Sequence, residues 1–176
     1  LRCGKDEAKK VLLDMIGPEP SYHSDAKLLM SVWRGIYSRR VIEDNHLRFV
    51  SERVYIAEDI MWHIDFLPCC QCVGLIPQTH YYYCDNGTSL TRTYRGDRFQ
   101  KELFLYHAQE DKLRKAGFSD IEFRVRLNRQ LLMKTRVCIS QQVTYLSQLG
   151  YFTARENIRA IIHAQEVQTI LESYPY

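Results

Sequence analysis

Apolar side chains recur at helical spacing through most of this chain, and only a few short stretches show the dense β-branched and aromatic content of strands. Over residues 6–16, Ala8, Val11, Leu12, Met15 and Ile16 share one stripe, and Gly17-Pro18 provides a stop, which predicts a helix. Residues 19–24 read as a loop, and residues 26–30 as a further helical turn. Ser31 to Tyr37 is rich in β-branched and aromatic residues and predicts a short strand. Residues 39–44 predict a brief helix ended by Asn45, a residue that tolerates left-handed geometry. Residues 47–50 return in extended form. Ile60, Met61, Ile64 and Leu67 then recur at helical spacing until Pro68, which places Glu58 and Asp59 in the first turn of a helix.

Residues 72–76 and 80–83 read as strand interrupted near Pro77, and Asp85-Asn86-Gly87-Thr88-Ser89 is strong turn chemistry. A loop over residues 90–96 leads to a helix over residues 97–116 that Gly117 ends. Ser119-Asp120-Ile121-Glu122 matches a capping box and predicts a helix start. Alternation of Ile121, Phe123, Val125 and Leu127 argues for a strand over the same residues, and the helix is favoured. Residues 129–149 are helix-like, Gly150 ends them, and Thr153-Ala154-Arg155-Glu156 offers a second capping box for a last helix. The fold class expected is therefore α+β and predominantly helical. Short strands mix with helices over residues 1–96, and a C-terminal helical region occupies residues 97–176.

Composition narrows the function classes. At 176 residues, 45% apolar and 26% charged, the chain is long enough to bury a core and has the balance of a soluble globular protein. A formal charge of +3 argues against a nucleic-acid partner. No apolar run reaches the roughly 20 residues that span a bilayer, so a soluble, cytoplasmic protein is expected. The chain opens without Met on a segment that is soon helical, which suggests a piece of something longer. Cys3, Cys69, Cys70, Cys72, Cys84 and Cys138 have no regular framework of spacings, so reduced thiols are the simplest reading. A zinc site built from the cysteines near residue 70 with His63 and His80 is disfavoured, because adjacent Cys69 and Cys70 point in different directions.

The pair Glu58-Asp59 changes the picture. Acidic residues at a helix start gain only about 0.3–1 kcal/mol from the exposed N–H groups, so a solvated helix start explains them cheaply. They stand, however, in an ordered series: Ser31-Val32-Trp33-Arg34-Gly35-Ile36-Tyr37-Ser38-Arg39-Arg40, then Asn45 and Phe49, then the acidic pair, then Tyr81-Tyr82-Tyr83 and Ser89-Leu90-Thr91. Over residues 5–105 this order resembles the second half of bacterial family 2 glycosyltransferases, enzymes of the GT-A fold.

The resemblance implies inverting transfer of a sugar from a nucleotide-diphosphate donor to an acceptor hydroxyl, in the synthesis of a bacterial surface polysaccharide. A hydroxyl is a poor nucleophile until a carboxylate takes its proton, and by carry-over Asp59 is that base, with Glu58 orienting the acceptor. Ser89 and Thr88 become the donors to the diphosphate, and Trp33, Tyr37 and Trp62 the acceptor-side candidates. The chain departs from the family at Cys84, where an Arg is common, and at Gly35-Ile36, where a Lys is common. The nucleotide-binding half and its Asp-x-Asp motif are not in these residues, so no metal ligand is assigned here. A divalent metal, Mg or Mn, is expected for the full-length enzyme and none for this part, which is expected to be inactive alone. A nucleotide sugar and a glycan or lipid-linked acceptor are the implied partners, with a homodimer and peripheral contact at the inner face of the membrane as further expectations. The alternative function is a non-catalytic helical interaction or dimerisation module, in which the acidic pair only starts a helix.

Overall fold

Helix α1 (Lys5–Ile16) forms where the apolar stripe predicts it and buries Ala8, Val11, Leu12 and Ile16 completely or nearly so. The computed structural model describes residues 1–82, 84 and 93–175, and α1 is its central strut. Helix α2 (Arg39–Asp44) is a short exposed helix capped by the Ser38 side chain. Helix α3 (Glu58–Phe66) turns Ile60, Met61, Trp62, His63, Ile64 and Phe66 inward, and a 3₁₀ turn over Leu67–Cys69 carries Pro68 at its start. Helices α4 (Arg98–Lys115) and α5 (Asp120–Thr144) then pair along their length, joined by Gly117 at φ +82°. The chain ends in α6 (Leu146–Leu149), α7 (Tyr151–Ile162) and α8 (Gln165–Ser173).

The fold is thus predominantly helical, with one two-stranded sheet among the described residues. Strand β1 (Arg2–Cys3) pairs antiparallel with β2 (Cys72–Val73), Arg2 opposite Val73 and Cys3 opposite Cys72. The main core gathers Leu12, Ile60, Ile64, Leu113, Phe123, Leu127 and Leu131 from α1, α3, α4 and α5, so residues on both sides of position 96 share it. Each such side chain contributes about 1.5–3 kcal/mol of burial free energy. A smaller cluster of Phe99, Cys138, Ile161 and Val167 joins α4, α5, α7 and α8.

Several expectations are corrected. Residues 31–37 are not a strand: Val32–Arg34 is a 3₁₀ turn, and the Tyr37 hydroxyl donates back to the Val32 carbonyl at 3.1 Å. Residues 47–50 run without a regular ladder, their Leu47 and Val50 packed on the main core. Strand structure in the 72–76 stretch is confined to Cys72 and Val73, and residues 80–82 form none. β-branched and aromatic content describes a half-buried surface, which irregular chain covering a helical core satisfies equally well. Residues 26–30 form no helical turn. The Leu28 N–H donates to Asp14 O and the Met30 carbonyl meets His63, so this segment is held by α1 and α3 instead.

In the second half the capping-box reading holds and the strand alternation does not. Glu122 Oε2 accepts from both the Ser119 N–H and the Ser119 hydroxyl at 2.7 Å. Helix α5 starts there and continues unbroken past residue 129, burying Phe123, Arg126, Leu127, Gln130 and Leu131 at helical spacing while Ile121 stays 91% exposed. The last helix starts at Tyr151 behind Gly150, at φ +76°, so the Thr153 capping box is not used. It also divides: extended Ala164 separates α7 from α8 and lets Val167 reach the smaller cluster. At the end of α2 the left-handed residue is His46, at φ +53°, and not Asn45, whose side chain instead donates to the Val41 carbonyl.

Candidate functional site

Asp59 lies in the first turn of α3, half-buried, with Glu58 beside it in the same turn. Burial and the neighbouring Glu58 charge push the Asp59 carboxyl above its ordinary value, while the Val32 backbone N–H opposes them. The causes are those that hold a carboxyl ready to accept a proton. Val32 opens the 3₁₀ turn over Val32–Arg34, so this turn lies against the start of α3. Tyr37 stands behind it: its phenol is raised to about 12, first by burial and then by the Asp59 charge.

The aromatic residues around this carboxyl divide into an inner and an outer set. Trp62 is 3% exposed and belongs to the core, stacked on Phe49 at 4.3 Å with the rings 8° apart and flanked edge-on by Tyr37. Its indole is therefore closed to a ligand, which corrects its assignment to an acceptor surface. Phe49, 52% exposed, covers it from outside. Trp33 is exposed, meets Tyr81 with ring centroids 4.4 Å apart, and carries the Arg34 guanidinium over its face at 5.7 Å. Trp33, Tyr37, Glu58 and Asp59 are thus brought to one region. Ser89 and Thr88 lie outside the described residues, as do Tyr83 and the turn around Gly87.

His63, one turn along α3, has a sequence context that offers it only to the disfavoured zinc site. Its Nε2 lies 2.8 Å from the Met30 carbonyl, its Nδ1 has no hydrogen-bond partner, and burial lowers its pKa. A neutral imidazole whose Nε2–H donates to Met30 fits this environment and ties the 26–30 segment to α3. The partnership of Trp33 with Tyr81 also had no local signal, because it depends on where two irregular segments cross.

The cysteines behave differently from the reduced-thiol expectation. Cys3 and Cys72 form a disulfide across the β1–β2 pair, closing a sequence separation of 69 residues. The Cys69 and Cys70 thiols donate to the Asp65 and Phe66 carbonyls, and burial raises both. Among the described residues no three His, Cys, Asp or Glu side chains converge to hold a metal ion. Among the described residues no helix is long and apolar enough to cross a membrane. No family model, curated protein or solved structure matches the chain.

Proposed function

We propose that the chain is the acceptor-side part of an inverting glycosyltransferase, of the GT-A type that its motif order resembles, with Asp59 as the general base. The observation that carries this reading is the half-buried Asp59 carboxyl, held above its ordinary pKa, in one region with the exposed Trp33–Tyr81 pair. Aromatic faces suit the apolar face of a sugar ring, and a carboxylate at that edge suits its hydroxyls.

In the reaction the Asp59 carboxylate takes the proton of the acceptor hydroxyl. The oxygen lone pair forms a bond to the anomeric carbon from the face opposite the nucleotide. The bond between that carbon and the diphosphate oxygen breaks, and the nucleoside diphosphate leaves with the electron pair, so the configuration inverts. Glu58 orients the acceptor, and Ser89 and Thr88 are the proposed donors to the diphosphate. The sugar donor is held by a nucleotide-binding half outside these residues, and in that parent enzyme Mg or Mn is the expected companion of the diphosphate. The test is Asp59→Asn in the full-length enzyme: transfer is lost while the nucleotide sugar still binds, and unchanged turnover sinks the base assignment.

A second reading, a helical dimerisation module, is favoured by a different observation. Val143, Tyr151 and Phe152, at 61%, 65% and 78% exposed, lie along the end of α5 and the start of α7 with Leu146 between them. An apolar groove of about 330 Å³ opens among Val143, Leu146, Tyr151 and Ile158. Sedimentation of the chain at several concentrations tests this second reading: a dimer lost on Phe152→Glu supports the dimerisation surface, and a monomer throughout removes it.

A further inference from the structure

The end of α5, α6 and most of α7 enclose a groove of about 330 Å³ that shares no residue with the Asp59 region. Its walls are apolar, with Val143 and Leu146 from the α5–α6 side, Tyr151 and Ile158 from α7, and buried Ala154 completing the lining. Val143, Leu146 and Tyr151 are exposed although apolar. Gln142 is the uncharged polar residue of the lining, but it is buried and its Oε1 already accepts from Tyr94 at 3.3 Å and from Asn157 at 2.9 Å. It asks nothing of a ligand.

The charged residues of the lining are both cations, Arg155 and Arg159. They stand one turn apart on α7 and share one carboxylate: Glu156 Oε1 lies 3.6 Å from Arg155 Nη1 and 3.9 Å from Arg159 Nη1. One glutamate against two exposed guanidiniums leaves this rim net positive. Both distances are longer than a charge-assisted hydrogen bond, so the two guanidiniums keep donors for another acceptor. Side chains at i and i+4 of a helix stand about 5–6 Å apart, which is also the spacing of two carboxylates at i and i+4 on a facing helix. A second copy of the chain would fill the apolar walls but would bring its own Arg155 and Arg159 to the contact, so it satisfies the apolar residues and not the cations.

We propose that this groove docks an acidic amphipathic helix of a partner protein. The apolar stripe of that helix lies among Val143, Leu146, Tyr151 and Ile158, and carboxylates one turn apart along the edge of the stripe meet Arg155 and Arg159. Burial of the stripe supplies the affinity. The two arginines set the choice of partner and its direction along the groove, because ion pairs at a solvated rim give selectivity more than strength.

The probe is a fluorescently labelled helical peptide of about 18 residues, with leucine on one stripe and glutamate beside it, titrated with the whole chain and read by anisotropy. Saturable binding is expected, weakening as salt rises from about 0.05 to 0.5 M. The same peptide with lysine for glutamate binds about tenfold or more weakly. Arg155→Glu with Arg159→Glu inverts the order, so that the lysine peptide becomes the tighter ligand; both positions are exposed, and a gained affinity does not come from misfolding. Val143→Asp, at an exposed wall position, weakens the glutamate peptide by about tenfold. The proposal is overturned if the glutamate peptide does not saturate, if the double variant leaves the order of the two peptides unchanged, or if Val143→Asp binds as the parent does. Another occupant overturns it too: a dimer that excess peptide does not dissociate, or phosphatidylglycerol vesicles that bind the chain and exclude the peptide.

Discussion

Arg126 on α5 donates from Nη1 to Asp14 Oδ1 on α1 at 2.9 Å, although 112 residues separate them and both side chains are nearly closed to solvent. The same guanidinium donates to the Gly17 carbonyl at 3.0 Å and to Glu19 Oε1 at 2.8 Å, so one cation closes the end of α1. Close approach makes this possible: a Cβ on Gly17 would lie 2.4 Å from the Arg126 carbonyl oxygen. Lys27 reaches the second Asp14 oxygen at 2.9 Å and completes the pairing.

Arg126→Met should therefore destabilise the chain by about 3 kcal/mol, the lower end of the cost of orphaning one partner of a buried pair, because Lys27 remains on Asp14. Urea unfolding at neutral pH measures it. The double variant Asp14→Asn with Arg126→Met should recover part of the loss, since no buried charge is then left alone.

Glu102 provides the pH-dependent case. Burial raises its carboxyl, and Lys134 and Arg98 oppose that rise. The folded state holds the Glu102 proton to higher pH than the unfolded chain does, so between the two pKa values folding takes up protons. Glu102 thus makes stability fall as pH rises through that window, and the penalty stays in force above it. Lys134→Met should deepen the penalty by about 1–3 kcal/mol at neutral pH, by removing one of its two cations. The difference between variant and parent should shrink on acidification to about pH 4, because a protonated Glu102 has no charge to compensate. Urea midpoints at both pH values check this.

What the sequence made legible follows from the range of the interactions. The helices could be placed because their stripes, stops and caps lie within a few residues of one another, as at Gly17-Pro18, Gly117 and the Ser119–Glu122 box. The strands were legible only in part, because pairing needs a partner: among the described residues only Arg2–Cys3 supplies one, opposite Cys72–Val73, while Phe49 stacks on Trp62 of α3 and Trp33 meets the irregular segment at Tyr81. The acidic pair was visible as the start of α3 for the same local reason. The influence of Val32 on Asp59, the Trp33–Tyr81 contact and the Arg126–Asp14 pair join segments remote in sequence, and no spacing encodes them.

The Cys3–Cys72 disulfide predicts a redox-dependent stability. Closing a separation of 69 residues removes loop entropy from the unfolded chain, worth about 4 kcal/mol in the chain-entropy account. Both cysteines are exposed, so dithiothreitol should reach the bond and lower the urea midpoint. The Cys3→Ser, Cys72→Ser double variant should show the lowered midpoint with or without reductant. Counting thiols in the denatured, unreduced protein should give the four free cysteines, Cys69, Cys70, Cys84 and Cys138.

Asp59→Asn should separate stability from activity. Burial and Glu58 raise the Asp59 carboxyl against the opposing Val32 N–H, so its ionised form is disfavoured in the folded chain. Stability from this group is therefore greatest below its unfolded pKa and falls as pH rises through the higher folded value. Neutral Asn removes both the burial cost of the charge and the repulsion from Glu58. At neutral pH the variant should be slightly more stable than the parent, by less than about 1 kcal/mol because water screens the half-exposed group. That gain should vanish on acidification, where the parent carboxyl is protonated too. Under the proposed function the same change costs the full-length enzyme its general base, about 10²–10⁴ in turnover. A carboxylate kept only to start α3 would behave in the opposite way: its loss would weaken the helix end and leave transfer unchanged. Urea midpoints against pH, measured with turnover on the same variant, decide between these two roles for Asp59.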